Sequence, residues 1–141
     1  MGLGVSKERT KDMIEIDDTN KYIPGVCNIG REELKRRKNG IYLSLTLLIL
    51  IVLVIHFSHA ANGWKLLVFI PVAYVVISWQ QWYFKFCVRF GLSGVFNFGD
   101  IGKAFTVEQK EYYRKDRAKA LKMIMVGVII GMAVAIIYYL L

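Results

Sequence analysis

Two cysteines, two histidines and a pair of adjacent glutamines are the side chains of this sequence best suited to chemistry. Cys27 precedes a helix-forming stretch close to Arg31, and Cys87 sits between Lys85 and Arg89. Neighbouring positive charge favours the thiolate, the form of cysteine that attacks and exchanges. Both are therefore candidate thiols for sulfur or electron transfer, with Cys27, at a helix start, ranked the more reactive, but the expectation is that both titrate at or above the ordinary thiol value of about 8.5. His56 and His59 are three apart, on one face if a helix persists there. That spacing can hold a metal, or place one imidazole on a haem iron. No Cys, Asp or Glu accompanies them, so the expectation is no metal site and no cofactor. Gln80 and Gln81 carry amides suited to hydrogen-bonding another helix or lining a polar path. None of this amounts to a catalytic signature, and the expectation is a protein that is not an enzyme.

The elements that must position these residues are long and apolar. The 141-residue chain is 55% hydrophobic, and its mean hydropathy is +0.40. Charge is segregated: no Lys, Arg, Asp or Glu occurs from Ile41 to Phe57, from Leu66 to Phe84, or from Met123 to Leu141. Crossing a hydrocarbon core of about 30 Å takes roughly 17–25 such residues. The expected fold class is all-α, an integral membrane protein with three transmembrane helices. Spans are placed at about 41–57, 64–84 and 121–141, with Tyr42, Trp64, Lys65 and Lys122 as interfacial anchors. A chain this short would have no polar faces left to bury three such helices in a soluble core. The first forty residues are too polar for a cleavable signal peptide. Met1–Ser6 fits the short N-myristoylation pattern, but a chain that spans three times gains little from an acyl anchor.

Orientation follows from the basic residues. Nine of the nineteen Lys and Arg precede span one, nine lie from Lys85 to Lys122, and the first loop has only Lys65. The positive-inside rule puts the N-terminus and the second loop in the cytoplasm, and Ser58–Gly63 and the C-terminus outside. The expected location is a cell (inner or plasma) membrane. Trp64, Tyr138 and Tyr139 mark the outer interface; Trp79, Trp82, Tyr83 and Phe84 mark the inner one. Cys27 and Cys87 then both face the cytoplasm, where a structural disulfide is not expected. The net charge of +8 lies mostly beside the membrane and suits anionic lipid headgroups as partners, with no nucleic acid implied.

This divides the chain into a polar cytoplasmic segment (1–27), a transmembrane hairpin (28–90), a cytoplasmic loop (91–106) and a long helix (107–141). Helical extensions are expected on the cytoplasmic side, before span one and before span three. Asn28 is the expected N-cap of the first helix, with Glu32 and Glu33 in its first turn. A bend is expected at Asn39-Gly40. Thr106-Val107-Glu108-Gln109 reads as a capping box that starts the last helix near Val107. Gly91–Gly102, rich in Gly, reads as loop. Pro71 removes a backbone hydrogen bond and should bend span two near its outer half. In span three, Gly127, Gly131 and Ala135 repeat every four residues, a helix-packing stripe that lets a second backbone approach. The sequence leaves open whether that partner lies within the chain or in another subunit.

One arrangement resembles a known family. Cys27-Asn28-Ile29-Gly30, then Arg36-Arg37 and Gly40, open a span; a second span ends at Cys87-Val88, followed by Gly91 or Gly94 and Asn97. Over residues 27–98 this is similar to an uncharacterised two-span hairpin family, one type of which forms the membrane tail of inner-membrane rhodanese sulfurtransferases. The family has Pro where this chain has Val88, and span three is additional. The resemblance implies a helical hairpin that oligomerises, and no catalytic residues. The expected role is an accessory or assembly subunit, or a homo-oligomer, within a larger membrane complex. A thiol relay through Cys27 or Cys87, and an oligomeric pore or transporter component, are the alternatives.

Overall fold

The computed structural model describes residues 21–59, 61–99, 101–102 and 104–141. The Met1–Ser6 pattern and most of the polar N-terminal segment lie outside the described residues. The chain is an all-α membrane protein with three helices long and apolar enough to span. Helix α1 covers Arg31–Phe57. A 3-10 segment, Asn62–Val68, leads into α2, Phe69–Tyr83. The short α3, Val88–Ser93, is followed by two-residue strands β1, Val95–Phe96, and β2, Phe105–Thr106. Helix α4 then runs from Lys110 to Leu140. Its 31 residues make about 46 Å at 1.5 Å per residue, longer than a hydrocarbon core is thick. Its charged first turns, with Glu111 paired to Lys115 at 3.0 Å, accordingly extend beyond the apolar part.

Helix α2 is the element against which both α1 and α4 pack. Only 6% of the apolar stretch of α1 is buried inside the protein, against 28% for each of the other two, so α1 turns most of its apolar surface outward. At the end carrying the basic residues, Phe86, Val88, Ala120 and Met123 form a small core, with Ile77 and Ile124 against it.

Several local expectations are corrected. Asn28 is not an N-cap: α1 starts after Gly30, whose backbone is extended, and no side chain caps it. Helix α1 is continuous through Asn39-Gly40, so any bend there leaves the helix unbroken. The capping box does not form, because Thr106 lies in β2, paired with Val95, and the Val107 amide donates to the Gly94 carbonyl at 2.7 Å. That pairing holds the backbone extended and delays α4 to Lys110. The first part of Gly91–Gly102 is not loop but the end of α3, which stops at Gly94 in the left-handed region (φ 68°). Near Pro71 the departure from α geometry takes the form of the 3-10 segment just before it.

The small-residue stripe of α4 is buried, and its neighbour is α2 of the same chain. A Cβ on Gly131 would come 2.8 Å from the Phe69 carbonyl oxygen, and one on Gly127 would come 2.5 Å from Cγ1 of Ile77. The first obstacle is backbone and cannot yield; the second is a side chain that can turn. Gly131→Ile should therefore destabilise more than Gly127→Ile, by ~1 kcal/mol or more in helix association. Both should leave the number of subunits unchanged, since the contact is internal. Thermal unfolding and light scattering in mild detergent measure the two effects. A Gly131→Ile protein as stable as the parent would place the stripe against lipid.

Candidate functional site

The residues that sequence reading singled out at the basic end meet in one buried polar knot. Asn28 and Glu33 at the start of α1, Cys87 after α2 and Asn97 after β1 come from three separate segments, and each is at most 2% exposed. The Asn28 side chain brackets one residue: its Oδ1 accepts from the Cys87 amide at 2.7 Å, and its Nδ2 donates to the Cys87 carbonyl at 3.1 Å. Its backbone is held too, by a donation to the Lys85 carbonyl at 3.3 Å and by the Asn97 amide donating to its own carbonyl at 3.0 Å. The Gly30 amide donates to the Asn97 carbonyl at 2.7 Å, which makes Ile29 and Asn97 a parallel bridge. A buried polar backbone group without a partner is costly, so this network sets where the chain enters α1 and leaves α2.

Charge enters the knot through Arg37. One terminal nitrogen donates to Sγ of Cys87 at 3.1 Å and lies 3.6 Å from Oε2 of Glu33. Asn97 Nδ2 reaches the other Glu33 oxygen at 3.5 Å. Arg37 Nε and Glu33 Oε2 are buried without a hydrogen bond among the described residues. Burial pushes the Cys87 thiol above its ordinary pKa; Arg37 opposes this, Glu33 adds to it, and the rise prevails. Cys27 is 7% exposed and its Sγ faces the Ile29 carbonyl at 3.7 Å. Burial raises its pKa too, against the Ile29 contact and the weaker pull of Lys85 and Lys119. At both thiols desolvation outweighs the neighbouring charges, and the arginine that touches a thiol is Arg37 at Cys87. The two sulfurs are free, with no disulfide.

A second anchor ties the residues before α1 to α4. Asp116, fully buried, accepts from the Tyr22 hydroxyl at 2.8 Å and from the Gly25 amide at 2.6 Å. Gly25 lies at φ 71°, and a Cβ there would sit 3.2 Å from Cβ of Lys115. Burial and the Asp116 carboxylate raise the Tyr22 pKa, so its phenol stays a donor. Tyr22 also stacks on Phe96, ring centroids 4.5 Å apart. Sequence reading passed over Asp116; the signal for it was one acid on the otherwise basic stretch Arg114–Lys122.

Of the two roles open to the glutamines, both side chains hydrogen-bond a neighbouring element. Gln80 donates to the Met123 carbonyl of α4 at 3.1 Å, and Gln81 accepts from the Val88 amide at 3.3 Å. The histidines do not form a pair on a helix: α1 ends at Phe57, and His59 has φ 48°. No group of three or more His, Cys, Asp or Glu suited to a metal occurs among the described residues.

Fold and site together define a multi-pass α-helical membrane protein whose hairpin is closed at one end by a polar knot. Compared with family models, with curated proteins and with solved structures, the chain matches none.

The knot makes a direct prediction. Asn28→Leu keeps the branched shape of the side chain but leaves the Cys87 amide unpaired, at a cost of about 1–3 kcal/mol, while the Cys87 carbonyl keeps its bond from the Gly91 amide at 2.9 Å. Thermal unfolding in detergent should show a clear loss of stability. Asn28→Asp should fall between, because a carboxylate still accepts from the amide but cannot donate to the carbonyl. Unchanged stability in both variants would remove the knot from its structural role.

Proposed function

We propose that the chain is a non-enzymatic subunit of a cell membrane that acts in assembly, as an accessory component or as a homo-oligomer. The observation that carries this reading is the occupation of its reactive groups. Cys27, Cys87, Glu33, Asn28, Asn97 and Asp116 are buried, and each is engaged with the chain's own backbone or side chains. What remains at the surface is apolar helix and a basic end, which suit lipid and neighbouring subunits better than a reaction. The resemblance to hairpin tails is in keeping with the same reading, since five of the residues that carry it, Asn28, Gly30, Arg37, Cys87 and Asn97, converge in the knot.

The thiol relay is the rival, and the contact between Arg37 and Cys87 is the observation in its favour. The two readings separate in one experiment on protein extracted from native membranes in mild detergent. The assembly reading expects a protein mass above the 16.2 kDa of one chain, kept when Cys27→Ala and Cys87→Ser are combined. Alkylation midpoints for both thiols should lie above the unperturbed value of about 8.5. A monomer without companions would overturn the assembly reading, and a midpoint well below that value at either cysteine would favour the relay.

We assign the basic end to the cytoplasm on the distribution of Lys and Arg. A reporter active only outside the cytoplasm should be active when fused after Leu141 or within Ser58–Gly63, and silent within Gly94–Gly102. The reverse pattern would invert the protein.

A further inference from the structure

Between α1 and α2, directly below the knot, lies a cleft of about 530 Å³. Its lining combines Arg36, Arg37, Asn39 and Gly40 of α1 with Ser78 and Gln81 of α2, and Leu43 and Tyr74 continue it into the apolar part. The donors converge from two helices, and no acidic residue lines the cleft. Arg37 is held in place by Cys87 and Glu33, so one guanidinium is already oriented. Gln81 is fixed through its oxygen, which accepts from Val88, and this leaves its amide nitrogen as a donor. Arg36 is exposed and makes no ion pair among the described residues. At Gly40 the wall has no side chain, and a Cβ built there meets nothing within 4 Å. The cleft is therefore open where the helices could have packed.

Its depth is informative. Lys38 is the last charge before the apolar run of α1, and Ile41 and Tyr42 begin that run. Tyr42, Trp79 and Trp82, with Lys38 and Ile41, line a separate hollow of about 200 Å³ between the same two helices, at the same stretch of each. Tyr and Trp rings favour the headgroup layer. Guanidinium groups match phosphate oxygens bidentately, and basic pockets between transmembrane helices at this level suit phosphate headgroups.

We infer that this cleft binds a phosphate group, held by Arg36 and Arg37 with the amide of Gln81 and the hydroxyl of Ser78. The chemistry is shared by the headgroup of an anionic phospholipid and by a free phosphate anion. A lipid would extend its chains along Leu43 and Tyr74, whereas a free anion would not need them. The inference is independent of the assembly role, because a phosphate site can serve a monomer or an oligomer.

The test uses the full chain in mild detergent, with short-chain phosphatidylglycerol, phosphatidylcholine of equal chain length, and inorganic phosphate as probes. Retained lipid is counted by native mass spectrometry, and binding is followed by thermal shift. Saturable phosphatidylglycerol binding is expected, weakened roughly tenfold or more by Arg36→Gln, the scale of one lost charged hydrogen bond. Gly40→Leu should block the cleft without unfolding the protein, since it fills open space and replaces a poor helix former. Lys122→Gln, in the separate groove between α2 and α4, should bind as the parent does. Displacement of the lipid by millimolar inorganic phosphate would identify a soluble anion as the ligand, and no displacement would identify the lipid. The inference is overturned if neither phosphatidylglycerol nor inorganic phosphate binds saturably. It is equally overturned if Gly40→Leu binds normally, or if Lys122→Gln loses as much as Arg36→Gln.

Discussion

The structure depends on the double hydrogen bond between the Asn28 amide and the backbone of Cys87. A chain that leaves one membrane helix and must lie beside the start of another has backbone groups with no helical partner. Buried inside the protein, these groups cannot reach water, and an unpaired one costs about 1–3 kcal/mol. An asparagine side chain presents one donor and one acceptor in the geometry of a peptide group, and can stand in for a strand. Asn28 does this for Cys87, and its own backbone then receives Asn97. Three segments far apart in sequence are thereby fixed at the base of the hairpin, and the register of α1 against α2 follows from where they meet.

The same arrangement explains why a buried charge is tolerated there. Glu33 is 2% exposed, and an isolated carboxylate at that depth would be unstable. Arg37, one turn along α1, supplies the opposite charge, and Asn97 supplies a donor. The arginine in turn needs an acceptor beyond the carboxylate, and the Cys87 sulfur provides one. A buried ion pair is weak evidence for stability, because desolvation offsets much of the attraction. Here it lies beside the one backbone position that Asn28 brackets, so its contribution is better understood as fixing the rotation of α1 about its axis.

The spans, their order and the all-helical class were legible because they depend on long apolar runs, and such runs report on themselves. The ends of the helices were not. Asn28 has the composition of an N-cap and Thr106 that of a capping box, and each was claimed instead by a tertiary contact. Local propensity weighs about 1 kcal/mol, and a buried network of several bonds exceeds it. The thiols show the same limit. Sequence gives the sign of neighbouring charges but not the burial, and burial decided the direction at both Cys27 and Cys87. At the glutamines and the small-residue stripe the residue type alone was informative, because an amide in a span and a glycine every four residues each have few uses there.

The two ends of the protein are held by different forces. Every hydrogen bond joining distant segments among the described residues lies at the basic end, from the Tyr22 contact with Asp116 to the Gln80 contact with Met123. Further along, α2 and α4 meet through Gly131, Ala135, Phe69 and Ala73, where close backbone approach does the work. At the far end the polar contact between elements is Lys65 over the Tyr138 ring, 5.5 Å from its centroid. Helix contacts within lipid rest on van der Waals packing, with no hydrophobic gain over the tails they displace. The hydrogen-bonded base is accordingly the most resistant part of the hairpin, and opening should begin where α1 and the 3-10 segment meet. Local stability follows the density of such protected contacts. A fold of this kind places a rigid, basic platform on one side of its bilayer and leaves the apolar surface of α1 free to adapt.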